Sequence, residues 1–230
     1  MATVLAIPDL HCPFEHRDAL AFLKAVRKYY RTDTTVCLGD ESDQHSMSMH
    51  DHDPDCPGAG DEHALMIEHL RPFYEAFPLC PSMHSNHTSL PFRRASKFGI
   101  PSVYLKSYAE FMEAPKGWTW HEEVEIDNVG YSHGMGYSGP LGALKCAQAN
   151  MQTRVIGHLH GFAGVLWNAN PKYLFAGLNA GCLIDRRALA FAYAKHSSTK
   201  PILGCGVIRQ GVPQFIPMQL DRHSRWTGEL

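Results

Sequence analysis

Short apolar runs alternate with amphipathic segments along the first half of the chain. Arg17–Tyr30 carries apolar side chains at helical spacing and is predicted to form a helix. A second helix is predicted over Glu62–Phe77, with an interruption at Pro72 because proline cannot donate a helical hydrogen bond. The apolar runs typical of buried strands are Ala2–Ile7, Thr34–Leu38 and Leu79–Met83.

The second half of the chain favours strands. Trp118–Ile126 and Val129–Tyr131 are predicted to form a hairpin that turns at Asp127 and Asn128, and Leu141–Met151 is predicted to be helical. Beyond that helix, short alternating or apolar runs between Gly and Pro predict strands over Phe162–Trp167, Tyr173–Ala176, Ala188–Tyr193, Ile202–Arg209 and Gln214–Met218.

A half rich in strand–helix units followed by a half rich in strands predicts an α/β (α+β) fold, in which two stacked sheets are flanked by helices. The chain has 230 residues, of which 44% are hydrophobic, and this is enough for one well-buried domain spanning residues 1–230. The tail Asp221–Leu230 is expected to be frayed.

Composition narrows the functional classes. The formal net charge of -2 disfavours recruitment of nucleic acid by a global basic field, although it leaves room for small nucleotides or a local basic patch. Seven cysteines without a CxxC pair indicate reduced thiols in a cytoplasmic protein. No signal-like leader or membrane-length apolar run is present, so we expect no membrane partner. No feature indicates an obligate protein partner.

Polar islands follow five of the predicted strands. Each contains Asp, Asn or His directly after an apolar run. Because open α/β sheets bind ligands at the carboxyl ends of their strands, these islands predict one shared site. Imidazole and carboxylate groups suit Mn, Zn or Fe. The islands are Asp9–His11, Gly39–Asp43, Ser85–His87, Ser132–Gly134 and Gly157–His160.

The order and spacing of these islands resemble the calcineurin-like metallophosphoesterase superfamily, and specifically its small, cap-free members of phage or bacterial type. The family signature is Asp-x-His, Gly-Asp-x-x-Asp, Gly-Asn-His followed by an acid, a lone His, and Gly-His-x-His. The third island departs from it, because Ser85 replaces the glycine and Thr88 replaces the acid. The resemblance implies a four-layer αββα sandwich of two mixed sheets flanked by helices.

The resemblance also implies two divalent metal ions, with Mn²⁺ favoured over Fe, Zn, Ni or Mg. Two such ions, roughly 3.5 to 4 Å apart, clamp the oxygens of a phosphoester and provide metal-bound hydroxide near neutral pH. His87 would be catalytic, stabilising the phosphoryl oxygens or protonating the leaving group. The implied ligands are Asp9, His11 and His160 for one ion, Asn86, His133 and His158 for the other, and Asp40 as the bridge.

Four further residues are candidates for supporting this chemistry. Asp43 is predicted to orient the liganding imidazoles, as carboxylates behind metal ligands do. His45 is a candidate because it lies only five positions after Asp40. Arg93 and Arg94 follow the third island, and a guanidinium group there would bind a substrate phosphate. The polar stretch between residues 44 and 61 is predicted to be a loop that lines or covers the site.

The resemblance implies phosphoester hydrolysis. Cys12 and His84 stand where protein phosphatases of the family carry Gly and Arg, which disfavours phosphoprotein substrates. We therefore expect a phosphodiesterase or small nuclease, with nucleic acids or cyclic nucleotides as substrates. The alternatives are a phosphomonoesterase acting on nucleotides or other small phosphates, and a non-catalytic binding module.

Overall fold

The computed structural model describes residues 1–48, 55–188 and 199–230. Within these ranges the helices are α1 (Ala19–Tyr30), α2 (Ala59–Ala76), α3 (Leu90–Lys97), α4 (Tyr108–Phe111) and α5 (Gly142–Asn150). Short 3-10 turns cover His45–Met47 and Ser102–Tyr104. The strands are β1 (Thr3–Ile7), β2 (Thr34–Cys37), β3 (Cys80–Met83), β4 (Trp118–His121), β5 (Val124–Ile126), β6 (Val129–Ser132), β7 (Thr153–Ile156), β8 (Gly164–Ala169), β9 (Leu174–Asn179), β10 (Gly204–Arg209) and β11 (Val212–Pro217).

These strands form two mixed sheets. The first sheet has the order β11-β10-β1-β2-β3-β4, in which β1 to β4 are parallel and β10 and β11 are antiparallel to their neighbours. The second has the order β5-β6-β7-β9-β8, with β6, β7 and β9 parallel. Because β1, β2 and β3 are parallel in one sheet, and β6 and β7 in the other, each sheet collects its carboxyl ends at one edge.

Side chains alternate in direction along the strands, and this divides the core into layers. Successive side chains of a strand point to opposite faces, so Val36 packs between the sheets with Tyr131 and Val155, while Cys37 faces the helices. The outer face of the first sheet is covered by α1 and α2. On the outer face of the second sheet, Ile156 packs against α5. The predicted four-layer αββα arrangement is confirmed.

The prediction of a single strand over Trp118–Ile126 was wrong. The chain changes sheets within this segment, so that β4 pairs with β3 in the first sheet and β5 pairs with β6 in the second. Trp118 buries its ring against Tyr74 of α2, while Val124 packs against the inter-sheet cluster. The predicted turn at Asp127 and Asn128 is confirmed, with φ of 51° and 62°, as a tight hairpin turn requires.

The predicted interruption at Pro72 was also wrong, because α2 is continuous through it. Proline inside a helix costs about 3 kcal/mol. Buried Leu70 and Phe73 hold the helix against the core on both sides of Pro72 and offset that cost. The helix also begins at Ala59, inside the stretch predicted to be a loop, and residues 49–54 of that stretch lie outside the described residues.

The carboxyl-terminal tail was predicted to be frayed, and this was wrong. Arg225 donates to both carboxylate oxygens of Asp18, at 2.7 and 2.6 Å, and the Trp226 ring packs against Phe22 with centroids 5.7 Å apart. The tail is held because the carboxylate at the start of α1 attracts the guanidinium group while the indole covers the core.

The remaining predicted strands and helices are confirmed to within a few residues. The strand predicted over Ala188–Tyr193 falls, apart from Ala188, outside the described residues. Six of the seven cysteines are buried thiols. Among the described helices, none combines the length and the hydropathy needed to cross a bilayer.

Candidate metal centre

Loops from both sheets meet at the carboxyl edge. Asp9 and His11 follow β1, and backbone hydrogen bonds join their loop to the loop after β2: His11 N–H donates to the Asp40 carbonyl at 2.8 Å, and Asp43 N–H donates to the Cys12 carbonyl at 3.1 Å. This pairing places the first island directly beside the second. The other islands follow β3, β6 and β7, so all five lie at one edge of the sandwich.

One group of candidate ligands consists of Asp9, His11 and His160, whose ligand atoms all lie within 4.8 Å of one another. Asp9 Oδ2 accepts a hydrogen bond from the His158 backbone N–H at 2.8 Å and lies 2.9 Å from His160 Nε2. Asp9 Oδ1 is buried and has no hydrogen-bond donor among the described residues. A buried carboxylate oxygen without a donor fits a cation, since leaving it unsatisfied is costly.

The second group consists of Asp40, His133 and His158. His133 Nδ1 donates to the Leu38 carbonyl at 2.8 Å, and its Nε2 lies 2.8 Å from Asn86 Oδ1 and 3.2 Å from Asp40 Oδ2. A metal-ligating histidine usually donates its other ring N–H to a carbonyl or carboxylate in this way. The donor set of this group therefore fits a borderline divalent metal such as Mn, Zn or Fe.

Asp40 also belongs to a third group, with His11 and His87, and this group links the first two. Asp40 Oδ2 is 3.6 Å from His11 Nε2 and 3.2 Å from His133 Nε2, so one carboxylate oxygen lies near candidate ligands of both other groups. Two contacts fix it: Asp40 N–H donates to Ser85 Oγ at 2.8 Å, and His87 N–H donates to Asp40 Oδ1 at 2.9 Å. Ser85, which replaces the glycine of the resembled signature, thus holds the backbone of Asp40.

Asp43 supports two imidazoles at once. Its carboxylate contacts Nδ1 of His11 and lies 3.2 Å from Nδ1 of His87, while its backbone carbonyl accepts a hydrogen bond from His87 Nδ1 at 2.7 Å. The acid that the family places after this histidine is Thr88 here, and Thr88 is buried against Ser42. Asp43 therefore orients His87 from a different loop.

The buried carboxylates make the site strongly attractive to positive charge. Burial alone would lower the pKa of His87, but Asp40 and Asp43 raise it to about 10. In the same way, burial opposes and Asp40 favours protonation of His133, whose pKa rises to about 9. The pKa of Asp40 falls well below its usual range, because the surrounding imidazoles outweigh the effect of its burial. The same field would attract divalent cations.

The other candidate residues lie at the periphery. His45 is buried with Nδ1 4.0 Å from the Asp43 carboxylate. Arg93 is exposed and donates to the Asn86 carbonyl at 3.2 Å, so it stands beside the site. Arg94 donates to the carbonyls of Met47 and Ser48, at 2.8 and 2.5 Å, and its guanidinium group is committed to holding that segment.

Glu41 was not anticipated. It is fully buried behind Asp40, where Trp120 Nε1 donates to its Oε1 at 2.5 Å and Ser82 Oγ donates to its Oε2 at 3.3 Å. Burial disfavours its charge and raises its pKa to about 7. The only signal in the sequence is one more acid in the Gly39–Asp43 island, and nothing there shows that its side chain turns into the core.

Comparisons with known proteins contribute little. No protein-family model matches the chain, and no curated protein matches it. One solved structure that matches is the crystal structure of Vps29 from Chaetomium thermophilum, with 14% sequence identity over 99% of this chain and 94% of that chain, and a TM-score of 0.43.

Proposed function

We propose that this protein is a metal-dependent phosphoester hydrolase, most specifically a phosphodiesterase, that uses a dinuclear metal centre. The observation that carries the proposal is the convergence of three Asp–His groups at one edge of the sandwich, in which His11 and Asp40 each belong to two groups. A buried centre for a single structural ion does not need overlapping groups, whereas two-metal phosphoesterases need a carboxylate between their ions.

The residues divide into two ligand sets. One ion would be held by Asp9, His11 and His160, the other by Asn86, His133 and His158, with Asp40 shared between them. Manganese is our first choice, because carboxylate and amide oxygens suit it, while the imidazoles also admit Zn, Fe or Ni. When bound, two such ions supply Lewis-acid stabilisation of phosphoryl oxygens and lower the pKa of a coordinated water.

His87 is the residue we assign to the leaving group. Its Nδ1 is engaged by the Asp43 carbonyl, so Nε2 is the atom available to a substrate. The side chain is 26% exposed, whereas the side chain of the candidate ligand His11 is 1% exposed. A histidine held rigidly at the mouth of the site, with a proton at Nε2, is placed to donate it to the departing oxygen.

The test is hydrolysis of bis(p-nitrophenyl) phosphate and of p-nitrophenyl phosphate by protein stripped of metal and then resupplied with Mn²⁺. We expect the diester to be cleaved faster, only with metal, and a loss of about 10²- to 10⁴-fold in kcat for His87→Ala with Mn²⁺ binding retained. His223→Ala, an exposed histidine of the tail, is the matched control and should behave as wild type.

Three outcomes would each contradict part of the proposal. Full activity of His87→Ala would remove the role assigned to that imidazole, and faster cleavage of the monoester would favour a phosphomonoesterase. Mn²⁺ binding without hydrolysis of either ester would instead identify a binding module that has kept its metals.

A further inference from the structure

Beyond the metal centre, residues 93–106 form a surface that combines basic and apolar side chains, which we call the aromatic-basic segment. Between Thr88 and Ala109 the sequence contains four basic residues and no acid, although the whole chain has a net charge of -2. Arg93, Lys97 and Lys106 are exposed, and no salt bridge joins any of the three to an acid within the described ranges. Positive charge is therefore concentrated here.

The same segment exposes large apolar side chains. Phe98 is 73% exposed, Ile100 45%, Val103 81% and Tyr104 78%. Single exposed apolar residues are normal, but a run of them on one short segment marks an interaction surface. Neither helix α3 nor the turn Ser102–Tyr104 buries these side chains, so the segment presents them to a partner.

The segment begins at the metal centre. Helix α3 starts three residues after His87, and Arg93 within it donates to the carbonyl of Asn86. The eight residues of this helix span about 12 Å, a length that roughly four nucleotides of a stacked strand cover at about 3.4 Å each. A polymer bound along the segment would enter the site at one end.

We infer that the aromatic-basic segment binds single-stranded nucleic acid and guides it to the metal centre, an inference that rests on the proposed phosphodiesterase. Basic side chains that follow a phosphate backbone, interleaved with aromatic faces for the bases, form the surface that single strands require. In a duplex the bases are stacked on one another, so their faces do not reach Phe98 and Tyr104. Binding therefore selects single strands.

The test is fluorescence anisotropy with a fluorescein-labelled oligothymidylate of about twenty nucleotides, with metal-free protein so that binding is read without turnover. Lys97→Glu/Tyr104→Ala should weaken binding about ten-fold or more, because losing one base–aromatic stack has that effect. The matched control is Lys172→Glu/Tyr173→Ala, which makes the same changes in charge and ring at exposed residues of the β8–β9 turn. It should retain wild-type affinity.

Three results would overturn the inference: equal affinity of both double variants for the single strand, tighter binding of the matched duplex, or binding of phosphatidylserine vesicles in place of the oligonucleotide. Hydrolysis of bis(p-nitrophenyl) phosphate by the wild type separates this failure from failure of the proposed function. Diester cleavage without oligonucleotide binding overturns only the inferred nucleic-acid surface. Oligonucleotide binding without diester cleavage overturns only the proposed phosphodiesterase activity.

Discussion

Gly157→Ala is the substitution that tests the metal centre most directly. A Cβ atom at Gly157 would lie 2.1 Å from Asp9 Oδ1 and 3.4 Å from Leu38 Cβ. The Asp9 carboxylate cannot simply turn away, because its Oδ2 is held by the His158 N–H and by His160 Nε2, at 2.8 and 2.9 Å. The added methyl group therefore displaces a candidate ligand atom.

The size of the effect follows from these distances. Real Cβ contacts are essentially never shorter than 3.0 Å, so Asp9 Oδ1 must move by roughly 1 Å. Metal–ligand distances tolerate only about 0.2 Å, and even changes behind the ligands lower metal affinity by about 10- to 100-fold. We expect at least that loss for the ion held by Asp9, His11 and His160. Overpacking adds a cost of about 1–3 kcal/mol in unfolding free energy.

The assay is calorimetric titration of the metal-free protein with Mn²⁺. Wild type should bind two ions tightly, and Gly157→Ala only one. Gly206→Ala is the matched control, since its Cβ would crowd Leu178 Cδ2 at 3.0 Å and Ala6 Cβ at 3.2 Å in the inter-sheet core. It should lower the melting temperature and leave Mn²⁺ binding intact. Two ions bound by Gly157→Ala with wild-type affinity would refute the reasoning.

Substitutions at three further residues test the surroundings of the site and the tail. Asp43→Asn should fold normally but lower Mn²⁺ affinity by about 10- to 100-fold, because it loosens two imidazoles; unchanged titration curves would contradict this role. Glu41→Ala should lower the free energy of unfolding by about 1–3 kcal/mol in urea denaturation, because it leaves the half-buried Trp120 N–H without its acceptor. Glu41→Gln should not have this effect, and equal losses in both variants would count against the hydrogen bond. The Arg225 hydrogen bonds lower the pKa of Asp18 from 3.8 to about 2. The ion pair therefore stabilises the folded state fully above pH 3.8, and this stabilisation is lost as the pH falls towards 2. Asp18→Asn should therefore lower the free energy of unfolding by about 1 kcal/mol at pH 7, after allowance for solvent screening, and by less as the solution becomes more acidic. A difference between variant and wild type that does not change with pH would contradict this role of the ion pair.

The positions of the polar islands follow from the sequence alone. Asp9 and His11 stand after an apolar run, as do Asp40 and His133, and side chains after parallel strands meet at the carboxyl edge of their sheet. Strand periodicity and helical spacing depend on neighbours along the chain, which is why most helices and strands, and two stacked sheets flanked by helices, were predictable. The hairpin turn at residues 127 and 128 was predictable for the same local reason. The four-layer αββα arrangement was implied by the resemblance.

Contacts between distant segments were decided only by the tertiary structure. Asp43 orients His87 across 44 positions of sequence, and Arg225 reaches Asp18 across 207. Neither contact can be read from a periodic pattern in the sequence, because both depend on how the packed layers bring distant loops together. The same is true of Glu41, whose carboxylate accepts hydrogen bonds from Ser82 of β3 and Trp120 of β4 only once these two strands are in place. A local pattern fixes which residues end a strand, and packing fixes which of them touch.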